Sequence, residues 1–177
     1  FRLMARFLLR ATFGDMSDPD QKLVVAKNRR IGVGFLGFHN WIAMHGIKYS
    51  ESWKNTWVRD RLSEWQEIVV EEVTRYAGQM NIPVPVKSTT LAPTGTGSLL
   101  PGVEGSGQSM IARWFKRLVR FFNGDSRLHS EIAKGYNHFP DDDAKNTEIV
   151  EYYCENPLVA HVRNAGFDPE EILEDQS

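Results

Sequence analysis

The sequence predicts an α/β fold, and three observations carry that prediction. Segments with helical spacing alternate with short extended segments along 177 residues. Glycine and proline punctuate the junctions between them. Apolar content of 41% and charged content of 25% are those of an ordinary domain with a real core.

Phe1 to Phe13 places Leu3, Met4, Phe7, Leu8 and Ala11 at helical spacing, with Gly14 able to end the helix. The run is apolar and basic but lacks a signal-peptide cleavage pattern, and no Met precedes it. The chain therefore reads as a fragment of something longer. Ser17, Asp18 and Pro19 form a helix-start signal, a cap residue before a first-turn proline. Ile31, Val33 and Phe35 alternate with Gly32 and Gly34, which predicts a strand with one bulky and one bare face. A bare face lets a second backbone or a ligand come close, and tight packing is the simpler reason for one.

Gly37 is expected to turn the chain into a short helix from Phe38 to His45, stopped by Gly46. Ser52 to Gly78 is the longest predicted helix. Trp53, Trp57, Leu62, Trp65, Val69, Val73 and Tyr76 recur at steps of three to five, a stripe expected to pack against a sheet. Val86 to Leu91 reads as a strand running into Ala92–Ser98, and a second glycine-rich loop, Pro101–Gly107, follows. Glu148 to Tyr153 is a further short strand.

Charge and cysteine usage exclude several function classes. Net charge is -2, so no bulk basic bias points to nucleic acid. Residues 141–177 carry eleven Asp/Glu against two Lys/Arg and are expected to form a solvated acidic tail. Cys154 is the only cysteine, so no internal disulfide or cysteine-based metal cluster is possible, and a reducing compartment is the natural setting. No run of 18 apolar residues suggests a transmembrane helix. His39, His45, His129, His138 and His161 do not form a zinc-protease motif. Asp141-Asp142-Asp143 lacks the glycine and distal Glu of a calcium loop. Arg113, Lys116, Arg117 and Arg120 would share one broad basic face in a helix, a solvated face or a nucleic-acid patch.

Pro93-Thr94-Gly95-Thr96-Gly97-Ser98 is the strongest local signal. Glycines and small hydroxyl residues at a strand end expose N–H and O–H donors, which suits phosphate oxygens before a helix N-terminus. No Gly-Lys-Ser/Thr follows, so it is not a Walker A loop. From composition alone, an ordinary flexible turn stands beside phosphate binding.

Four segments in order carry a resemblance to a known family. Asn28-Arg29-Arg30-Ile31-Gly32 resembles the "NRRIG" strand of ribonucleotide reductase large subunits. Thr89-Thr90-Leu91-Ala92-Pro93-Thr94-Gly95-Thr96, extended by Gly102-Val103, resembles that family's "TT-x-(A/K)P-(S/T)-G-T" segment. Leu118–Phe121 with Gly124-Asp125, and Asn146–Val150, resemble its "R(R/I)(V/I)RF…D" and "NT-x-VV" stretches. The match runs from about residue 20 to residue 155 and is most similar to the adenosylcobalamin-dependent (class II) enzymes acting on ribonucleoside triphosphates, several of them phage-encoded.

The resemblance implies part of a ten-stranded α/β barrel over residues 1–155, followed by the acidic tail 156–177. It implies radical reduction of ribonucleotides to deoxyribonucleotides, adenosylcobalamin as cofactor, a thioredoxin-type reductant and a cytoplasmic setting in a bacterial or phage-infected cell. No membrane or nucleic-acid partner is expected. Pro93, Thr94, Gly95, Thr96, Gly97 and Ser98 would hold the substrate phosphates. The sequence departs from the family where the chemistry lies. The "N-x-C-x-E" motif with its thiyl-forming Cys and Glu base is absent, as are the two further reducing cysteines and the C-terminal cysteine pair. Gly97 stands where relatives usually have an apolar residue. No catalytic residue is assigned, and Cys154 is not promoted to one. The chain is expected to need a second polypeptide or segment bearing the catalytic cysteines. A non-catalytic nucleotide-binding or assembly module of the same fold is the alternative.

Overall fold

The computed structural model describes residues 1–176. Its N-terminal half is helical. Helix α1 spans Arg2–Ala11 and α2 spans Pro19–Asn28. Asp18 caps α2 by accepting from the Asp20 N–H at 3.0 Å, with Pro19 in the first turn, as the sequence predicts. Helix α3, Phe38–Ala43, starts after Gly37 at φ 69°. A 3₁₀ turn at Tyr49–Lys54 precedes α4, Thr56–Gln79, whose first turn is capped by the Asn55 side chain at 3.3 Å. No helix of the described residues is long and apolar enough to cross a membrane.

The α4 stripe packs differently from expectation. Val58, Val69, Val73 and Ala77 are its buried apolar residues, while Trp53 is exposed. Val69 and Val73 join Ala5, Ile31 and Val33 in one core cluster, so α4 lies on α1 and a strand-like segment rather than on a sheet. The carboxylate of Glu72 is buried in the same place, reached by Arg6 Nε and Arg75 Nη2 at 2.5 Å each and by Arg2 at 3.3 Å. Burial of a carboxylate is tolerable only with such partners. Hydrogen bonds from Arg75 and Arg6 hold its pKa down at about 2.

Ile31–Phe35 and Val86–Leu91 were expected as strands. They meet in a single parallel bridge, Val33 to Thr89. The Val33 N–H donates to Ser88 O at 2.8 Å and the Thr90 N–H to Val33 O at 3.0 Å. The bare glycine face is used by this pairing. A Cβ on Gly34 would lie 2.7 Å from the Thr90 carbonyl oxygen.

The regular sheet is three-stranded and antiparallel, in the order β1 (Trp114–Phe122), β3 (Thr147–Glu155), β2 (His138–Pro140). Helix α5, Ser126–Ala133, follows β1. The ten-stranded barrel is therefore not present among the described residues. The basic run is on a strand, not a helix. Alternation puts Lys116 and Arg120 on one face of β1 and Arg117 on the other, which breaks up the broad basic face. Aromatic and β-branched residues at Phe115, Val119, Phe121 and Phe122 favour the strand.

The acidic segment is not a solvated tail. Helices α6 (Pro157–Asn164) and α7 (Pro169–Ile172) pack Leu158, Val159, Val162 and Leu173 with Ala43 and Met110 into a second core cluster. Its acids find partners: Arg113 pairs with Glu170 and, at 3.2 Å, with Asp175, and Glu174 accepts from the Ser50 N–H at 3.0 Å. Apolar residues at helical spacing outweighed the charge in deciding this fold.

Two outcomes follow from this packing. Gly34→Ala forces the Thr90 backbone to move and costs about 1–3 kcal/mol in urea unfolding. Glu72 has a depressed pKa, so its ion pairs stabilise the fold above pH 4.5, the usual value, and that contribution is lost as pH falls toward about 2. Glu72→Gln removes roughly 1.5–3 kcal/mol at neutral pH, with the partly exposed arginines favouring the lower end, and it flattens that acid limb.

Candidate functional site

The loop Pro93–Ser98 begins three residues after Thr90, just past the parallel bridge, and runs into one 3₁₀ turn, Gly97–Leu99. That turn is three residues long, so the loop is not followed by the helix N-terminus that its sequence suggested. Pro93, Gly95, Thr96 and Gly97 are exposed, Thr94 is half-buried and Ser98 is buried. A Cβ on Gly95 or Gly97 would meet no atom within 4 Å, so space stands open over both residues.

The hydroxyls of the loop have different roles. Thr94 Oγ1 accepts a hydrogen bond from the Ser106 N–H at 2.8 Å. Its own proton remains available for a further acceptor. Ser98 is turned inward. Its hydroxyl donates to Gly95 O at 3.2 Å, its N–H to Thr94 O at 2.9 Å, and its carbonyl accepts from the Val103 N–H at 3.1 Å. Ser98 thus shapes the turn.

The second glycine-rich loop is a brace. Gly37 N–H donates to Glu104 O at 2.9 Å and Phe38 N–H to Ser106 O at 3.0 Å, so the first turn of α3 holds this loop. Asn40 Oδ1 accepts from the Glu104 N–H at 2.8 Å, and Asn156 Nδ2 donates to Glu104 Oε1 at 2.8 Å. Tyr49 adds a hydroxyl bond to Gly107 O at 2.6 Å. Ser106, at φ 33°, is held through its carbonyl by Phe38, and its neighbours Glu104 and Gly107 are held as well, before it orients Thr94.

His39 is the residue the sequence did not single out. It is fully buried, with Nδ1 accepting from the Met110 N–H at 2.9 Å and its ring edge-on to Tyr49. Burial pushes its pKa down to about 4, against a smaller opposing pull from Glu174. Its i, i+3 neighbourhood in the sequence gives no sign of this, because the partner backbone lies 71 residues away.

The other sequence candidates are not gathered at this loop by any described contact. Lys116 pairs with Glu151 at 3.5 Å, and Arg120 pairs with Asp141. Asp141 also accepts from the Asp143 N–H at 3.0 Å, which makes the triple-Asp stretch a hydrogen-bonded turn. Cys154 is half-buried in β3 opposite Phe115.

His39 has a lowered pKa, so the unfolded chain takes up a proton below about pH 6.5 while the folded chain resists until about 4. Stability is full above pH 6.5 and falls between those values, by roughly 3 kcal/mol in total. His39→Gln keeps an acceptor for Met110 and flattens denaturant midpoints across that window.

No family model matches the chain. It is 38% identical over 180 residues to a putative adenosylcobalamin-dependent ribonucleoside-triphosphate reductase of Mycobacterium phage D29, a match covering 98% of this chain and 26% of the relative. The adenosylcobalamin-dependent ribonucleoside-triphosphate reductase of Levilactobacillus brevis is 29% identical, over 86% of this chain and 23% of its own. The fold matches a crystal structure of a B-12-dependent (class II) ribonucleotide reductase with a TM-score of 0.75 at 22% identity, over 94% of this chain and 25% of that one. The chain spans about a quarter of the length of these relatives. Sequence and backbone thus agree that it is homologous to one segment of the adenosylcobalamin-dependent, class II ribonucleotide reductases.

Proposed function

We propose that this chain is the part of a radical ribonucleotide reductase that holds the substrate phosphates, on the loop Pro93–Ser98. The observation that carries the reading is Thr94. Its oxygen accepts from the Ser106 N–H, which leaves its own proton available to an outside acceptor. Thr96 and the exposed Gly95 and Gly97 add neutral donors beside it. Such donors fix a triphosphate by geometry, and fixed geometry lowers the barrier to a later step at the ribose. Ser98 contributes by closing the turn.

Adenosylcobalamin, named for the relatives, would supply the radical of the complete enzyme. The described residues do not fit that group. Two cavities among them measure about 400 Å³ and about 390 Å³, and no histidine lines either one. The cofactor then belongs to the segments present in the longer relatives. Those segments, or a second polypeptide, would bring the thiyl-forming Cys, the Glu base and the reducing cysteines, with a thioredoxin-type protein as reductant. The bridge of Val33 and Thr89 would be one seam of the ten-stranded barrel. The setting would be the cytoplasm of a bacterial or phage-infected cell. A non-catalytic nucleotide-binding or assembly module is the second reading, favoured by the single cysteine, half-buried in β3.

The test is binding first and turnover second. Titration calorimetry with a ribonucleoside triphosphate gives a Kd that rises at least about tenfold in Thr94→Val, from the loss of a hydrogen bond to a charged group. Thr94→Ser restores it. Ribonucleotide reduction with adenosylcobalamin and a dithiol is expected only when a polypeptide carrying the "N-x-C-x-E" region is added. Unchanged affinity in both Thr94→Val and Thr96→Val sinks the phosphate role. Binding without turnover in an assembled mixture selects the non-catalytic module.

A further inference from the structure

Asn123 and Gly124 stand between β1 and α5, and they are the only Asn-Gly pair in the chain. Two backbone hydrogen bonds frame them. The Asn123 N–H donates to Asn146 O at 2.9 Å, and the Asp125 N–H closes a turn onto Phe122 O at 2.8 Å. Asn-Gly is favoured in hairpin turns whose two central residues both have positive φ. Neither Asn123 nor Gly124 has a positive φ, and β1 leads into a helix rather than a hairpin. The backbone of this turn therefore does not call for the pair.

The groups left free in the turn are the two that can react with each other. Both residues are exposed. Among the described residues, the Asn123 side-chain amide has no hydrogen-bond partner, and the Gly124 N–H has no acceptor. Gly124 has no Cβ to hold its nitrogen away from Asn123 Cγ, and glycine has the freest backbone for such an approach. The neighbouring carboxylate of Asp125 is taken up by the Arg127 side chain at 2.6 Å and by the Arg127 N–H at 2.9 Å. Every other asparagine is followed by a residue with a side chain. Asn40 and Asn156 are in addition buried and hydrogen-bonded, and Asn156 precedes Pro157, which has no N–H.

We propose that Asn123-Gly124 is a modification site, where the chain converts its own side-chain amide into aspartyl and isoaspartyl linkages without an enzyme. Solvent base takes the Gly124 amide proton, and the nitrogen attacks Asn123 Cγ. The N–Cγ bond forms, the Cγ–Nδ2 bond breaks, and Nδ2 takes a proton from water and leaves as ammonia. A five-membered succinimide joins the two residues. Water then opens the ring at either carbonyl, so an amide and a water become a carboxylic acid and ammonia, with no redox change. Opening at Cγ keeps the original backbone. Opening at the backbone carbonyl reroutes the chain through the side chain and lengthens it by one carbon. That carbon falls inside the turn closed by Asp125 and Phe122, so the isoaspartyl form loses this bond and loosens β1 from the cap of α5. The proposal does not depend on the reductase reading.

The test is to hold the full 177-residue chain warm at neutral pH for several weeks. Trypsin releases the site as Phe121–Arg127. Mass spectrometry and an isoaspartyl carboxyl methyltransferase assay read the two products. Both are expected, with isoaspartyl in excess, sooner than at any other asparagine and faster at mildly alkaline than at mildly acid pH. The converted fraction exchanges the Asp125 amide hydrogen faster. Gly124→Ala places a Cβ against the exposed ring of Phe122, at 3.3 Å, without a positive φ. With circular dichroism unchanged, it slows the conversion at least tenfold. Three outcomes overturn the proposal. One is an aspartyl product without isoaspartyl, which is direct hydrolysis. Another is an intact Asn123 in the folded chain while the urea-unfolded chain converts. The last is an equal rate in Gly124→Ala.

Discussion

The geometry of the site depends on the first turn of α3. A helix begins with N–H groups that have no partner inside it. Here the N–H groups of Gly37 and Phe38 are satisfied by the carbonyls of Glu104 and Ser106. The same turn returns two acceptors, Asn40 Oδ1 to the Glu104 N–H and His39 Nδ1 to the Met110 N–H. Four hydrogen bonds thus lock a six-residue helix to a loop more than sixty residues away. Without that lock neither Ser106 nor Thr94 would have a defined position. Asn156 extends it to the end of β3, so the sheet and the N-terminal helices share one anchor.

Charge is used sparingly around the loop. Glu72 draws on three arginines, and Arg113 and Arg120 are committed to carboxylates. The loop itself offers amides and hydroxyls. On the proposed reading, a neutral cradle of this kind would favour an anion by direction rather than by bulk attraction. The relatives are about four times longer than this chain.

Much of the helical half was legible in the sequence because its signals are local. Asp18-Pro19 and Gly37 act within one turn of themselves. The glycine alternation at Gly32 and Gly34 also announced a close approach correctly, although the neighbour, Thr90, was beyond its reach. Arg113–Arg120 was ambiguous because a cation spacing of three, one and three fits a helix as well as a two-faced strand. In the acidic segment the charges outnumber Leu158, Val159, Val162 and Leu173, yet it is these four, buried together, that decide its fold.

The sequence by itself determined the mixed fold class, the Asp18-Pro19 cap and the likeness to class II reductases, since each is written in residues adjacent along the chain. Only the tertiary structure decided that Thr94 is oriented by Ser106 and that Ser98 faces inward. It also decided that His39 is buried and neutral and that β1 keeps a free edge. Those depend on contacts between segments separated by 12 to 71 residues or on a turn closed in space. Hydrogen-bond direction and burial are properties of such contacts, and no single segment encodes them.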